Sequence, residues 1–183
     1  MELRGFFATV FAFLFTGDVY SSQPRRFWRF DYAGLGCTNE LDRYMRINMG
    51  KCENKNSQME CSAMANGDTT INPRTHFTLE KPKKNKPSKM RCISFNNTYS
   101  LMVQGNNVSF VNVSCEKGRA NVWFKFIKLK KQSGEKNIYY GFFIRNSTMC
   151  LTSSCDGTLS VVKVNSTADR KCFFRQYHFW KRW

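Results

Sequence analysis

Val122-Trp123-Phe124-Lys125-Phe126-Ile127 places apolar side chains, most of them aromatic, around a single charge, the pattern of a strand with one face turned to a core. The phrase returns as Thr75-His76-Phe77-Thr78-Leu79 and as Lys171-Cys172-Phe173-Phe174-Arg175-Gln176-Tyr177, so three copies stand about fifty residues apart. The last two copies bring their surroundings with them. Before Phe124 come Cys92 to Phe95, Thr98 to Gln104, a Gly105-Asn106-Asn107 turn and Val108 to Val113. Before Phe173 come Phe142 to Ile144, Thr148 to Ser154, an Asp156-Gly157 turn and Leu159 to Val164. Phe77, Phe124, Phe126, Phe173 and Phe179 are assigned to the core.

Three copies of a four-strand unit make a three-fold pseudosymmetric barrel capped by hairpins. The expected fold is therefore all-β, a disulfide-stabilised β-trefoil of three pseudo-repeats; a β-sandwich is the alternative, and the repeat argues against it. In the first repeat, Phe27 to Tyr32 reads as a strand. Asn39 to Met49 reads as a helix or a strand, with Tyr44-Met45-Arg46-Ile47 favouring the strand. Lys51 to Asp68, polar and holding Cys52 and Cys61, reads as a disulfide-tied loop. Lys81-Pro82-Lys83-Lys84-Asn85-Lys86-Pro87-Ser88-Lys89 reads as a linker between repeats.

The apolar run Gly5 to Thr16 is short for a bilayer span and is followed by polar residues, so residues 1–21 are expected to be a secretory signal peptide and 22–183 the mature domain. Secretion agrees with the cysteines: Cys37, Cys52, Cys61, Cys92, Cys115, Cys150, Cys155 and Cys172 form an even set for an oxidising compartment, with 105 full pairings open to them. It agrees also with five N-glycosylation sequons, at Asn96, Asn107, Asn112, Asn146 and Asn165. No Cys-x-x-Cys is present, and the two histidines are far apart, so neither metal nor cofactor is expected.

The chain carries 29 Lys and Arg against 13 Asp and Glu; without Glu2, Arg4 and Asp18 of the signal segment these become 28 and 11, a net +17. Outside a cell such a field attracts sulfated glycosaminoglycans and acidic receptor surfaces, whereas nucleic acid is a poor partner for a secreted glycoprotein. The polyanion candidates are Lys81, Lys83, Lys84, Lys86 and Lys89 in the linker, Lys125, Lys128, Lys130 and Lys131 after the second phrase, and Lys181 with Arg182 at the end. Lys125, Lys128 and Lys130 are near-alternating, so part of this set is expected to share one strand face. His76 and His178 are expected on strand surfaces in different repeats, held apart, and no Gly-x-Ser-x-Gly or His-Glu-x-x-His motif occurs. The chain reads as a binder and not an enzyme, monomeric and without membrane insertion.

Lys89 to Ser94, Trp123 to Ile127, Phe142-Phe143-Ile144 through Leu151-Thr152, and Phe173 to Phe179 together resemble the interleukin-1 family of β-trefoil cytokines over roughly residues 25–183. The opening Met1 to Gly5 with Arg25 to Asp31 is similar to that family's secreted receptor-antagonist branch. The chain departs from the family pattern in its dense cysteines and at Asn146 to Thr152, which lacks a proline. The resemblance implies a ligand for an immunoglobulin-like receptor ectodomain. Gly157-Thr158-Leu159 followed by Cys172 to Gln176 is similar to the fibroblast growth factor signature, which implies a heparan-sulfate-dependent ligand instead. A trefoil protease inhibitor or lectin is the third reading, although no aromatic-glutamine sugar motif recurs.

Overall fold

Twelve strands account for the regular structure of the computed structural model, which describes residues 25–34, 43–67, 73–82, 89–117, 120–129, 138–167 and 169–181. Residues 1–24, including the expected signal peptide, and Cys37, Lys83, Lys84, Lys86, Lys130, Lys131 and Arg182 lie outside the described residues, and Lys181 is placed by its backbone. The first repeat supplies β1 (Arg25–Tyr32), β2 (Tyr44–Lys55), β3 (Gln58–Gly67) and β4 (Thr78–Glu80). The second supplies β5 (Met90–Phe95), β6 (Tyr99–Gln104), β7 (Asn107–Val111) and β8 (Phe124–Lys128). The third supplies β9 (Tyr139–Ile144), β10 (Met149–Ser153), β11 (Leu159–Lys163) and β12 (Phe174–Lys181).

The first and fourth strands of each repeat make the barrel, in the order β1, β12, β9, β8, β5, β4. A single antiparallel bridge closes it, with the Trp28 amide donating to Phe77 O at 2.8 Å and the Phe77 amide returning to Trp28 O at 3.0 Å. The middle strands form three hairpins, β2–β3, β6–β7 and β10–β11. They join in a triangle through Ser62↔Ser109, Asn107↔Ser160 and the Met64↔Thr158 bridge, which seals one end of the barrel. At the other end β1, β5 and β9 begin and β4, β8 and β12 finish, and among the described residues no hairpin covers it.

Each recurring phrase opens with a 3₁₀ turn, Pro73–Thr75, Ala120–Val122 and Arg170–Cys172, and then enters its strand. The turns align Phe77, Phe124 and Phe174, at most 1 % exposed, as the phrase residues of the barrel core. The third phrase thus runs one residue later than the sequence pattern indicated. Phe173 is buried in a satellite cluster with Leu129, Phe143, Val164 and the Cys150–Cys172 disulfide, while Phe174 takes the core position. His76 falls at the place of Trp123 and Phe173. It is buried beside the Phe27 ring, 6.2 Å between centroids, and is not a surface residue of a strand. Phe126 is half-buried, and the side chain of Phe179 lies outside the described residues.

Residues 51–67 correct a second expectation: they are not a loop but the outer part of the β2–β3 hairpin, crossed by the Cys52–Cys61 disulfide. Asn39 to Met49 resolves to strand from Tyr44 onward. Two further disulfides, Cys92–Cys115 and Cys150–Cys172, pin the connections that follow the second and third hairpins, and Cys155 is disulfide-bonded as well. These bridges suit a chain matured in an oxidising compartment. Among the described residues no helix is long and apolar enough to cross a membrane.

Candidate functional site

The pseudo-threefold repeat assigns every barrel position two equivalents, and the strand pairings Leu79↔Ile93, Phe126↔Phe142 and Gln176↔Phe30 fix them. Phe77, Phe124 and Phe174 with Phe30, Ile93 and Phe142 form the innermost tier, all buried. Two residues farther from the cap hairpins on each strand, Leu79, Phe126 and Gln176 with Trp28, Arg91 and Tyr140 form a second tier, all half-buried. One more step gives Lys81, Lys128 and His178 with Arg26, Lys89 and Ile138. Of the five described side chains in this outermost tier, all are exposed and four are cations.

Among the described residues this mouth of the barrel is therefore a cationic rim over an aromatic shelf. The Arg26 guanidinium lies 4.2 Å over the Trp28 ring, a cation–π contact. Phe126 and Tyr140 stack at 4.7 Å with an interplanar angle of 7°. Arg91 donates to Met90 O at 2.7 Å. The Lys89 carbonyl accepts from the Phe126 amide at 2.8 Å, so the backbone bearing Lys89 is held against β8. The nearby carboxylate Glu80 is on the outer side of β4 and accepts from Ser94 Oγ at 2.6 Å. Lysine and arginine presented around one ring act on a polyanion together, which dispersed surface charges do not.

The expected polyanion residues divide. Lys128 belongs to the mouth, and β12 ends there at Lys181. Lys125 does not: it is three positions before Lys128 in an unbroken ladder, so the two take opposite faces of β8. Lys125 instead borders a depression of about 220 Å³ with Ile127, Phe143, Ser147, Thr148 and Thr167. Lys83, Lys84, Lys86, Lys130 and Lys131 are outside the described residues, but the strand ends that bound their segments, Glu80, Met90, Lys128 and Tyr139, are all at the mouth. The sequence marked Lys81 and Lys89 as linker cations but did not join them to Arg26 and Arg91. Their common level follows only from the register across three repeats.

A second surface lies on the outer barrel wall. The Arg29 guanidinium sits 4.1 Å over Tyr44, whose ring is 5.8 Å from that of the exposed Tyr177. Beside them Arg175 Nη2 meets the buried Asp31 carboxylate at 2.6 Å. Burial works against the Arg175 charge, and the Asp31 carboxylate outweighs it, so the guanidinium is held above its ordinary pKa. His76 precedes β4 and His178 lies in β12, and these two strands run on either side of β1. Among the described residues no group of three or more His, Cys, Asp or Glu is placed to hold a metal ion.

The five sequon asparagines are all exposed. Asn96 and Asn146 occupy equivalent turns after β5 and β9 with φ of 50° and 54°, Asn107 opens β7, and Asn112 and Asn165 follow β7 and β11. None lies on the mouth, and the first repeat contains no sequon.

Neither a family model nor a curated protein matches the chain. Solved structures do. A BEL β-trefoil in an apo crystal form aligns over 84 % of this chain and 92 % of its own, with a TM-score of 0.53 and 14 % identity. The SDF2-like protein from Arabidopsis thaliana aligns over 85 % and 94 %, with a TM-score of 0.56 and 6 % identity. A ricin B-like lectin from Macrolepiota procera, solved with lactose, aligns over 86 % and 96 %, with a TM-score of 0.50 and 10 % identity. Identities this low speak for architecture alone, and with the closed barrel, the triangular cap and the three equivalent tiers they establish that the chain folds as a β-trefoil.

Proposed function

We propose that the chain is a secreted, cytokine-like ligand, interleukin-1-like in type, that is retained on sulfated glycosaminoglycans through its barrel mouth and acts by binding, without catalysis. The cationic rim of Arg26, Lys81, Lys89 and Lys128 over an aromatic shelf is the observation that carries it. Sulfate groups neutralise the rim, the net charge of +16 speeds encounter with an acidic surface, and the Arg29, Tyr44 and Tyr177 cluster on the outer wall supplies the residue types that dominate protein interfaces.

The test is retention of the purified mature protein on immobilised heparin. Lys81→Ala, Lys89→Ala and Lys128→Ala combined should elute at clearly lower salt than the parent, while Lys125→Ala, off the mouth, should elute with it. Equal elution of all three proteins would remove the mouth from the reading, and binding unchanged in half-molar salt would deny it an electrostatic origin. Receptor class is tested by capture on interleukin-1-type and fibroblast-growth-factor-type receptor ectodomains with and without heparin. Capture by the first group without heparin supports the proposal, and capture only by the second with heparin favours a growth-factor-like ligand. Silence across both groups sinks the receptor assignment and moves weight to a trefoil inhibitor or lectin.

A further inference from the structure

The end of the molecule opposite the mouth carries a second concavity of different chemistry. Where the cap hairpins meet, a depression of about 510 Å³ is bordered by Glu53 and Lys55 of β2, Glu60 and Ser62 of β3, and Asn107 and Ser109 of β7. In a chain with a net charge of +16, its charged lining is balanced: Lys51 and Lys55 stand against Glu53 and Glu60, and Lys55 Nζ lies 3.2 Å from Glu53 Oε2. Such a surface has no preference for a polyanion. Carboxylates, hydroxyls, amides and ammonium groups side by side offer both donors and acceptors, which is what a neutral, hydroxyl-rich ligand requires.

Asn107 and Ser109 are also the first and third residues of a sequon. Two positions apart on one strand, they share a face, and both border the depression. Register sets what lies beside them: Ser62 pairs with Ser109, and Glu60 in turn pairs with Glu53. At the usual strand spacing, β2 is about 10 Å from β7. A saccharide that begins on the Asn107 amide nitrogen starts at the rim of the depression and reaches β2 by crossing β3.

We propose that this depression cradles the protein's own N-linked saccharide on Asn107, its proximal sugars hydrogen-bonded across β3 to β2. The linkage forms when the Asn107 amide nitrogen attacks the anomeric carbon of a lipid-diphosphate-linked oligosaccharide in the secretory pathway. The lipid diphosphate leaves with the bonding electrons, and the nitrogen gives up one proton. The seated saccharide ties β2–β3, the longest hairpin of the cap, to β7. The glycans of Asn96 and Asn146, carried on turns that do not border the depression, have no such seat. The proposal is independent of the polyanion reading, since the mouth is at the other end.

The experiment uses full-length protein secreted from a glycosylating host and treated in its native state with peptide-N-glycosidase, with release followed at each site by mass spectrometry. Release from Asn107 should be at least tenfold slower than from Asn96 and Asn146, and the difference should vanish on denaturation. In parallel, Asn107→Gln, or Ser109→Ala as a second way to remove the sequon, should raise amide exchange several-fold at Glu53 to Lys55 and Glu60 to Ser62, with Asn146→Gln as the unaffected control. An unmodified Asn107, equal release at the three sites, or exchange unchanged in both sequon variants would overturn the proposal. Heparin retention of the Asn107 variant should equal that of the parent, so failure here is distinct from failure of the mouth.

Discussion

Gly157 shows how closely single residues fit the cap. Its φ of +86° is in the left-handed region, a built Cβ would lie 2.6 Å from Asn66 Cβ, and its carbonyl accepts from the Ala65 amide at 2.6 Å. Gly157→Ala should therefore lose about 1–3 kcal/mol from strained backbone and a forced shift of Asn66, read as a lower urea midpoint with unchanged slope. Next to it, hydrogen bonds from Ser154 Oγ, the Thr158 amide and Thr158 Oγ1 hold the Asp156 carboxyl at a pKa of about 2, below its ordinary 3.8. A depressed acid contributes stability above its unfolded value and loses it as pH falls through the folded one. Amide protection at Gly157 and Thr158 should thus weaken between about pH 4 and pH 2 while the barrel amides stay protected; protection constant over that range would refute the assignment. The Asp156-Gly157 turn was legible in the sequence because its chemistry is local. The choice between Phe173 and Phe174 was not, since adjacent phenylalanines satisfy the same alternation and only the preceding 3₁₀ turn separates them.

At the scale of elements, the β2–β3 hairpin was hidden for a physical reason. Periodicity reports burial, and the outer half of β2, from Met49 to Lys55, has no buried residue, so no apolar alternation marks it as strand. Its strand character comes from pairing with β3 and from the Cys52–Cys61 bridge. Replacing both cysteines by serine should raise amide exchange within residues 49–61 and leave exchange in the barrel unchanged. The Cys92–Cys115 bridge is different. It spans 23 residues, its sulfurs are buried with Met90, Met102, Val111, Val122 and Trp123, and its removal should cost about 3 kcal/mol in chain entropy alone, measured by denaturation without reductant. The opposed faces of Lys125 and Lys128 also belong here. Spacing in the sequence suggested that part of the set Lys125, Lys128 and Lys130 shares a face, and strand parity puts Lys125 on the wall, opposite Lys128 at the mouth.

For the molecule as a whole, the fold was legible because the repeat is a property of the chain, while the rim was not, because it is a property of the closed barrel. Arg26, Lys81, Lys89 and Lys128 are scattered over about a hundred residues and meet only when three strand pairings set them at one level. A polyanion that binds this rim stabilises the native state by mass action. Heparin at a hundred times its dissociation constant should add about 2.7 kcal/mol and raise Tm, and the combined Lys81, Lys89 and Lys128 variant should lose that gain at the same heparin concentration. The pairing of β1 with β12, unbroken from Arg25↔Lys181 to Tyr32↔Phe174, carries one more consequence. The first strand of the barrel to leave the ribosome must wait for β12, so the barrel cannot close until all three repeats have been synthesised. Throughout that interval β1 offers an open edge to any strand nearby, which makes folding slow and exposes the chain to aggregation until β12 arrives.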